Sequence, residues 1–464
     1  MALETQLPGR AAATGAVPPG PKGAPVVGSL LDLRRDVLGT TYRAMLEFGD
    51  VVRFTGGTGK FRVEAYGLFG PDGAHHALAG ASDNYGKTGE AFQEIRDLLG
   101  NGLLTSDGEE WKRQKRMIQP IFTHRRVTGY VPMMVEEGDA VVARWAAAAA
   151  GGSTVDLHAD MTRATLRVVG RALFGADVDH AVEVLEDPVP YLSQRAIRRS
   201  LSPVNVPPTW PTPGNRRAAR YQAAIDGLVD DLIASRKAAA APQEDLLMLL
   251  LGAQDPEGGQ GLSDVEVHEQ ALIFLLAGHE TTATSLTFTL HLLGHHPEVQ
   301  QRVHEEVDAV LGGRDPGFED VRALEYTTMT IKEAMRLYPA AYSIARVPVR
   351  EDTFEGYRIP AGAAVLASPY VTHRHPRHWD APDRFDPERF APEREKARHR
   401  YAYIPFGGGP RACIGQYFSM LEAVIIVAKL LQSFHVSTSA APVKLSTGIT
   451  LRPAHAMPAQ VAPR

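Results

Sequence analysis

The stretch from Asp264 to His296 constrains this chain more than any other. It holds no proline, is apolar over most of its length, and is stopped by Pro297. As a helix it spans roughly 50 Å, enough to cross a whole domain. Its centre reads Ala277-Gly278-His279-Glu280-Thr281-Thr282. Ala277, Gly278 and Thr281 fall on one face by helical spacing, and the two small residues leave a shallow groove there. The Thr281 hydroxyl can bond back to an earlier carbonyl and open the helix locally. A glycine and an acid inside an apolar helix each cost stability, so the centre asks for a functional reason. The plain alternative is a kink carrying a surface acid. His279 lies elsewhere on the helical wheel and reads as a packing or solvent residue.

A second stretch carries chemistry. Cys413 is the only cysteine among 464 residues, so an intrachain disulfide is excluded. It closes the run Tyr403-Ile404-Pro405-Phe406-Gly407-Gly408-Gly409-Pro410-Arg411-Ala412-Cys413-Ile414-Gly415. A soft thiolate between glycines, with an arginine two residues upstream, suggests an axial metal ligand on a tight loop. Thiolate ligation needs a low thiol pKa, which backbone N–H groups and a helix over Gln416–Leu431 can supply. Glycines let the backbone pass close to a flat cofactor. The alternative is a structural cysteine buried after a glycine turn.

Phe406, Gly409, Arg411, Cys413 and Gly415 match F-x-x-G-x-R-x-C-x-G at every fixed position. The stretch resembles the haem-binding loop of the cytochrome P-450 monooxygenases, and further motifs follow in that family's order. Glu280 and Thr281 match the acid–alcohol pair that delivers protons to bound dioxygen, with Ala277 and Gly278 as the groove over the haem. Glu333 and Arg336 match E-x-x-R, which alone is weak evidence because such a pair is usually a surface one. With Arg389, in Phe385–Phe390, the resemblance makes them a structural trio that locks the loop behind the haem. Trp111 and Lys115 stand where the family's W-x-x-x-R holds a haem propionate. Lysine takes the arginine's place, with Arg116 one step round, and offers a point charge without bidentate geometry. Arg346 and Arg411 match propionate-binding arginines, and Phe406 would pack beside the thiolate.

The resemblance runs from the proline turn near Pro18 to the final hairpin. It implies a mainly α fold with a smaller β-rich lobe, a single domain with haem b buried between lobes and its iron bound by Cys413. The implied reaction inserts one oxygen atom of O2 into an unactivated C–H bond, as hydroxylation, epoxidation or further oxidation. The apolar secondary-metabolite substrate is expected to be a terpenoid, with polyketide, macrolide or fatty-acyl compounds as alternatives. A peroxide-using or isomerising relative is a rival reading that Glu280-Thr281 disfavours, and a haem-thiolate sensor or carrier without turnover is another, which would not need the groove in the central helix. Too few residues follow Cys413 for a flavin or nicotinamide domain, so a separate ferredoxin and ferredoxin reductase are implied. They would dock near the basic residues around Lys112, on the thiolate side.

Composition adds exclusions. An apolar fraction of 44% is ordinary for a globular enzyme, and a net charge of −5 gives no reason to expect nucleic acid. No apolar run is long enough for a signal peptide or membrane anchor, and the lone cysteine fits a reducing compartment. The chain therefore resembles the soluble, bacterial-type members, with a cytoplasmic location.

Taken in order, residues 1–24 read as a flexible lead and a proline-rich turn, and 25–464 as the enzyme domain. Val52 and Phe54, then Phe61, Val63 and Ala65, suggest short strands about a Thr58-Gly59 turn. Asn84–Gly102 reads as irregular with one helical turn, where Phe92 is a candidate substrate contact. Helices are expected over Asp160–Gly175 and Tyr221–Ala241, with the proline-rich Leu201–Gly214 as loop between them. Ala340–Arg346 reads as a strand, placing Ala341 and Ile344 by the pocket. Ser446–Leu451 reads as a hairpin whose tip, Gly448-Ile449, touches substrate.

Overall fold

The long apolar run forms one helix, Asp264–His295, with His296 as its cap and Pro297 opening the next. Ser263 starts it reciprocally: its hydroxyl accepts the Glu266 N–H, while the Glu266 carboxylate accepts the Ser263 N–H. In the computed structural model, residues 15–57, 62–175, 179–202, 205–238 and 245–464 are described. The fold is mostly helical, 58%, with a smaller β region.

Two apolar cores are strung along the central helix. One gathers Val267 and Ala271–Leu276 with Leu166, Phe174, Leu192, Ile225 and Leu247. The other gathers Ala283, Leu286, Leu290 and Leu293 with Trp145, Phe390, Phe434 and the helix Gln416–Ser433. The motif Ala277–Thr282 lies between them. From Gln270 to Leu293 every residue is buried except Ala277, Gly278, Thr281. A helix enclosed on both sides of such a window faces an internal space there, and the exposed residues are those that share the groove face.

The helix Leu157–Phe174 is the central helix's broadest neighbour. It starts three residues before the expected Asp160, where the Asp156 carboxylate caps the N–H of His158, and ends on Gly175 in the left-handed region. The helix Pro213–Ala238 also begins earlier than expected, because Pro213 is pre-set for a first helical turn. Residues 203–204 of the expected loop, and the expected end at Ala241, lie outside the described residues.

The β lobe is a five-stranded sheet. In order across it run Val51–Gly56, Val63–Leu68, Ala364–Ala367, Ile344–Pro348 and Tyr85–Gly86. Val52 and Phe54 are fully buried as expected. In the second strand Val63 is exposed at the strand end opposite Gly56, Ala65 packs on the same core as its partner Phe54, and Tyr66 and Leu68 face a second core on the other side, so the sheet is covered on both faces there. The Thr58-Gly59 turn and Phe61 lie outside the described residues.

Three further expectations are corrected. Residues 15–24, read as lead and turn, are tied to the β lobe: the Gly15 N–H donates to the Gly356 carbonyl in the turn between Asp352–Phe354 and Tyr357–Ile359, and the Arg53 N–H of the first strand donates to the Pro19 carbonyl. Glu90–Leu99, read as irregular, is a ten-residue helix bracketed by Gly89 and Gly100, both at positive φ. The strand expected over Ala340–Arg346 begins only at Ile344. The last hairpin forms as expected, pairing Leu445–Thr447 with Leu451–Pro453.

Candidate active site

Cys413 ends a loop pinned by its own backbone, since its N–H donates to the Phe406 carbonyl at 2.9 Å. Gly409 has φ +68, and a Cβ there would lie 1.9 Å from the Leu78 carbonyl oxygen, so no other residue fits. Phe406 packs on the second core, and Gly415 caps the helix Gln416–Ser433. Cys413 is exposed to solvent, yet protein surrounds the thiol closely enough that burial pushes its pKa up. An atom with both properties stands at the floor of a deep crevice. The Gly415 N–H opposes the shift. A metal ion bound there would favour the thiolate, because coordination deprotonates a thiol outright. Among the described residues no three His, Cys, Asp or Glu side chains gather to hold a metal. A single thiolate beneath an iron already held by a cofactor fits this donor set.

The central helix closes on that loop from the other side. Thr282 Oγ1 lies 3.0 Å from Ser419 Oγ on the helix that follows Cys413. Thr281 turns the other way and donates to the Ala277 carbonyl at 2.7 Å, the back-bond its position allows. The helix remains continuous through it. Ala277 is open to the internal space. Gly278 has another job: a Cβ there would meet Val169 Cγ2 at 2.8 Å, so the glycine admits the helix Leu157–Phe174. Glu280 is buried, which removes the surface-acid alternative, and Arg452 Nε lies 3.8 Å from its Oε1. His279 is buried with Nδ1 2.7 Å from the Leu275 carbonyl, a packing residue.

A cationic rim surrounds the entrance to the cysteine loop. Arg411 donates to the Ser106 carbonyl at 2.9 Å, pairs with Asp107, and stacks 4.1 Å above the Trp111 ring. Lys115 donates to the Pro410 carbonyl at 2.6 Å, so it braces the loop itself. Arg116 turns away to Asp255, which it binds through two nitrogens at 3.1 and 2.9 Å. Arg346 is buried; burial first, then Arg411, push its pKa down to about 10. The sequence reading missed Lys87. It is buried against the Leu104 carbonyl, and burial, Arg346 and Arg411 push its pKa well down, with Asp107 opposing. Nothing local marks it, because its charged neighbours are far away in sequence. Arg346, Arg411 and Lys87 thus share the carboxylate of Asp107, while Lys115 meets Arg411 as a like charge. A rim so short of negative charge fits a cofactor bearing two carboxylates.

Comparisons with known proteins follow the same line. The Cytochrome P450 family model matches residues 18–457. The chain belongs to the cytochrome P450 family. It is accordingly a haem-thiolate monooxygenase, and its sole cysteine, Cys413, supplies the iron ligand. Cyclooctat-9-en-7-ol 5-monooxygenase of Streptomyces melanosporofaciens is 40% identical over 343 residues, 74% of each chain. Cyclooctatin synthase of the same organism is 40% identical over 351 residues, 75% of each. Pentalenene oxygenase of Streptomyces avermitilis is 33% identical over 368 residues, covering 78% of this chain and 81% of that one.

In this P450 the E-x-x-R pair is not the surface pair its spacing suggests. Glu333 and Arg336 are fully buried and joined twice, at 2.7 and 2.8 Å. Arg336 also donates to the carbonyls of His373, Pro382 and Arg384. Arg389 Nε lies 3.3 Å from Glu333, and its terminal nitrogen donates to the Ala381 carbonyl. The trio therefore fixes residues 373–389, the chain that leads into the cysteine loop. Phe92 is buried on Glu90–Leu99; Ala341, Ile344 and Ile449 are half-buried. The basic residues proposed for an electron donor are partly spoken for: Lys112 pairs with Glu109 and Arg113 with Glu266. Among the described residues no helix is long and apolar enough to cross a membrane.

Lys87 gives a test with two opposite arms. Lys87→Met is expected to make the haem-free protein more stable to urea, because a poorly compensated buried charge is gone. It should speed haem loss from the loaded protein roughly 10- to 100-fold, the equivalent of a charge-assisted hydrogen bond of about 1.5–3 kcal/mol. Unchanged haem transfer to an acceptor protein would remove Lys87 from the cofactor site.

Proposed function

We propose that this P450 hydroxylates an apolar, polycyclic terpenoid, with Glu280 and Thr281 handling protons and the last hairpin contacting the substrate. The observation that carries the reading is the window in the central helix. Ala277 and Thr281 open between two apolar cores, and Thr282 ties the next position to the helix behind Cys413. A pocket with such walls favours a hydrocarbon skeleton held by shape. Three similar bacterial enzymes carry cyclooctatin-type or pentalenene names, which supports the terpenoid class.

Each residue has a task. Cys413 would hold the haem iron, while Trp111, Lys115, Arg346, Arg411 and Lys87 would hold the propionate edge. Ala277 leaves room above the ring, Gly278 lets the helix Leu157–Phe174 approach behind it, and Phe406 shields the thiolate. The haem, when bound, supplies the oxidising chemistry that inserts oxygen into a C–H bond. Thr281, whose hydroxyl already has an acceptor in Ala277, keeps its oxygen lone pairs for a donor in the pocket. Glu280, next to it, would pass protons inward from the protein side. Glu333, Arg336 and Arg389 keep the loop in place and touch no substrate. Electrons would come from a ferredoxin and ferredoxin reductase docking on the thiolate side.

The test has two parts. An optical titration against terpenoids, polyketide lactones and fatty acids is expected to give a blue-shifted Soret band with terpenoids. A response confined to lactones or fatty acids would replace the substrate class. Thr281→Ala is expected to retain haem and the same ligand shift. Its product per electron should fall roughly a hundredfold, the low end of what positioned proton transfer contributes. The lost electrons should appear as hydrogen peroxide, and undiminished coupling would take Thr281 out of the mechanism.

A further inference from the structure

The acid of the central helix and the hairpin on the substrate side are joined by one cation. Arg452 lies on the strand Leu451–Pro453, with Nε 3.8 Å from Glu280 Oε1, inside ion-pair reach but beyond a hydrogen bond. The two side chains are 18% and 11% exposed, so their attraction is only partly screened by water. No other carboxylate among the described residues lies within ion-pair distance of Arg452. His158 stands behind it, Nδ1 3.4 Å from Thr287 Oγ1. Burial first, then Arg452, push that imidazole down to about 4, so at neutral pH it carries no charge to compete for Glu280.

The same hairpin presents Ile449 at its tip, three residues before Arg452. The tip rests on neighbouring elements by a few polar contacts. Tyr342 donates its hydroxyl to the Gly448 carbonyl at 2.8 Å, the Ile449 N–H donates to Ser193 Oγ at 2.7 Å, and Gln194 donates to Ser446 Oγ at 2.9 Å. Behind the tip, Leu451 donates to the Ala340 carbonyl at 2.8 Å and accepts from Thr284 at 3.1 Å. Thr450 Oγ1 is buried there with no hydrogen-bond partner, so the turn as it stands leaves a polar group unsatisfied. Displacing the tip would break the Tyr342 and Ser193 hydrogen bonds, a cost that a bound ligand has to meet, and would shift the strand that carries Arg452.

We propose that Arg452 is a positioning residue for Glu280: it holds the carboxylate aside while the hairpin tip rests on Ser193, and lets it go when a ligand filling the pocket displaces the Ile449 turn. The idea rests on the proton-handling role given above to Glu280. It would tie release of the acid to the presence of substrate, so that electrons are not spent on an empty pocket. Geometry makes the coupling short: the tip, the strand and the ion pair are within one hairpin and the helix it crosses.

The experiment uses the haem-loaded protein and clotrimazole, an imidazole whose nitrogen ligates haem iron and whose aryl rings fill the space above it. A spectrum that clotrimazole leaves unchanged would overturn the haem-site reading itself. With binding seen, infrared difference spectra follow the Glu280 carboxylate band, assigned by its loss in Glu280→Gln. In the native protein the band is expected to move on clotrimazole binding. In Arg452→Met it should start at the ligand-bound position and stay there, and Arg452→Lys should recover part of the movement. Ile449→Ala, which keeps Arg452 and shortens the tip, should reduce the movement. A native band that stays still, or one that moves as far in Arg452→Met or Ile449→Ala, would overturn the coupling while leaving the haem site in place.

Discussion

Cys413→Ser protein, refolded with haem, is expected to lose the thiolate-type optical spectrum completely and to form no product. Serine is close in size, so the loop should keep its shape. The Cys413 N–H still donates to Phe406, and Gly409 still meets Leu78. What changes is the donor atom. A hydroxyl does not ionise near neutral pH as a coordinated thiol does, and its hard oxygen binds iron with less electron donation. Circular dichroism and the urea midpoint should stay near the native values in haem-free protein. That comparison separates loss of ligand from loss of fold. A retained thiolate spectrum in Cys413→Ser would end the haem-thiolate assignment, since no second cysteine exists to supply it.

Glu333→Gln is expected to be the most damaging change away from the cofactor. It leaves Arg336 charged at a fully buried position, with its carboxylate partner gone. Breaking a buried ion pair from one side costs about 3–5 kcal/mol, a large part of a typical folding free energy. The urea midpoint should fall accordingly, and haem should be lost more readily because residues 373–389 lose their anchor. The double change Glu333→Met with Arg336→Met removes both charges and would ordinarily recover most of that loss. Here recovery should be partial. Arg336 also serves the carbonyls of His373, Pro382 and Arg384, and methionine leaves them without a donor. A double variant as stable as the native protein would show that those carbonyls find water instead.

Much of the site was legible in the chain because its signals are local. The central helix announces itself by composition and by Pro297, and its window residues follow from spacing alone. The cysteine loop is legible because Phe406, Gly409, Arg411, Cys413 and Gly415 match the haem-binding loop it resembles, whereas the contact of Gly409 with Leu78 shows only in the fold. The helix Glu90–Leu99 was missed although Phe92, Ile95 and Leu98 repeat at helical spacing. It is only ten residues long and sits between glycines that read as loop. That Val63–Leu68 is covered on both faces was missed because alternation singles out one face, and only the neighbouring cores show that Tyr66 and Leu68 are also inside.

What the chain by itself determined is therefore the set of elements and the chemistry each can carry: one spanning helix, one thiolate loop, one acid–alcohol pair and one Glu–Arg motif. What only tertiary structure decided is how charge and space are shared among them. Gly278 serves the helix carrying Val169, and the Cys413 thiol is raised by burial. Lys87 is short of counter-charge between Arg346 and Arg411, and Glu280 answers to Arg452 on the last hairpin. Each of these joins residues far apart in the chain. Periodicity reports which face of an element is apolar, whereas burial and electrostatics depend on what the fold brings against that face.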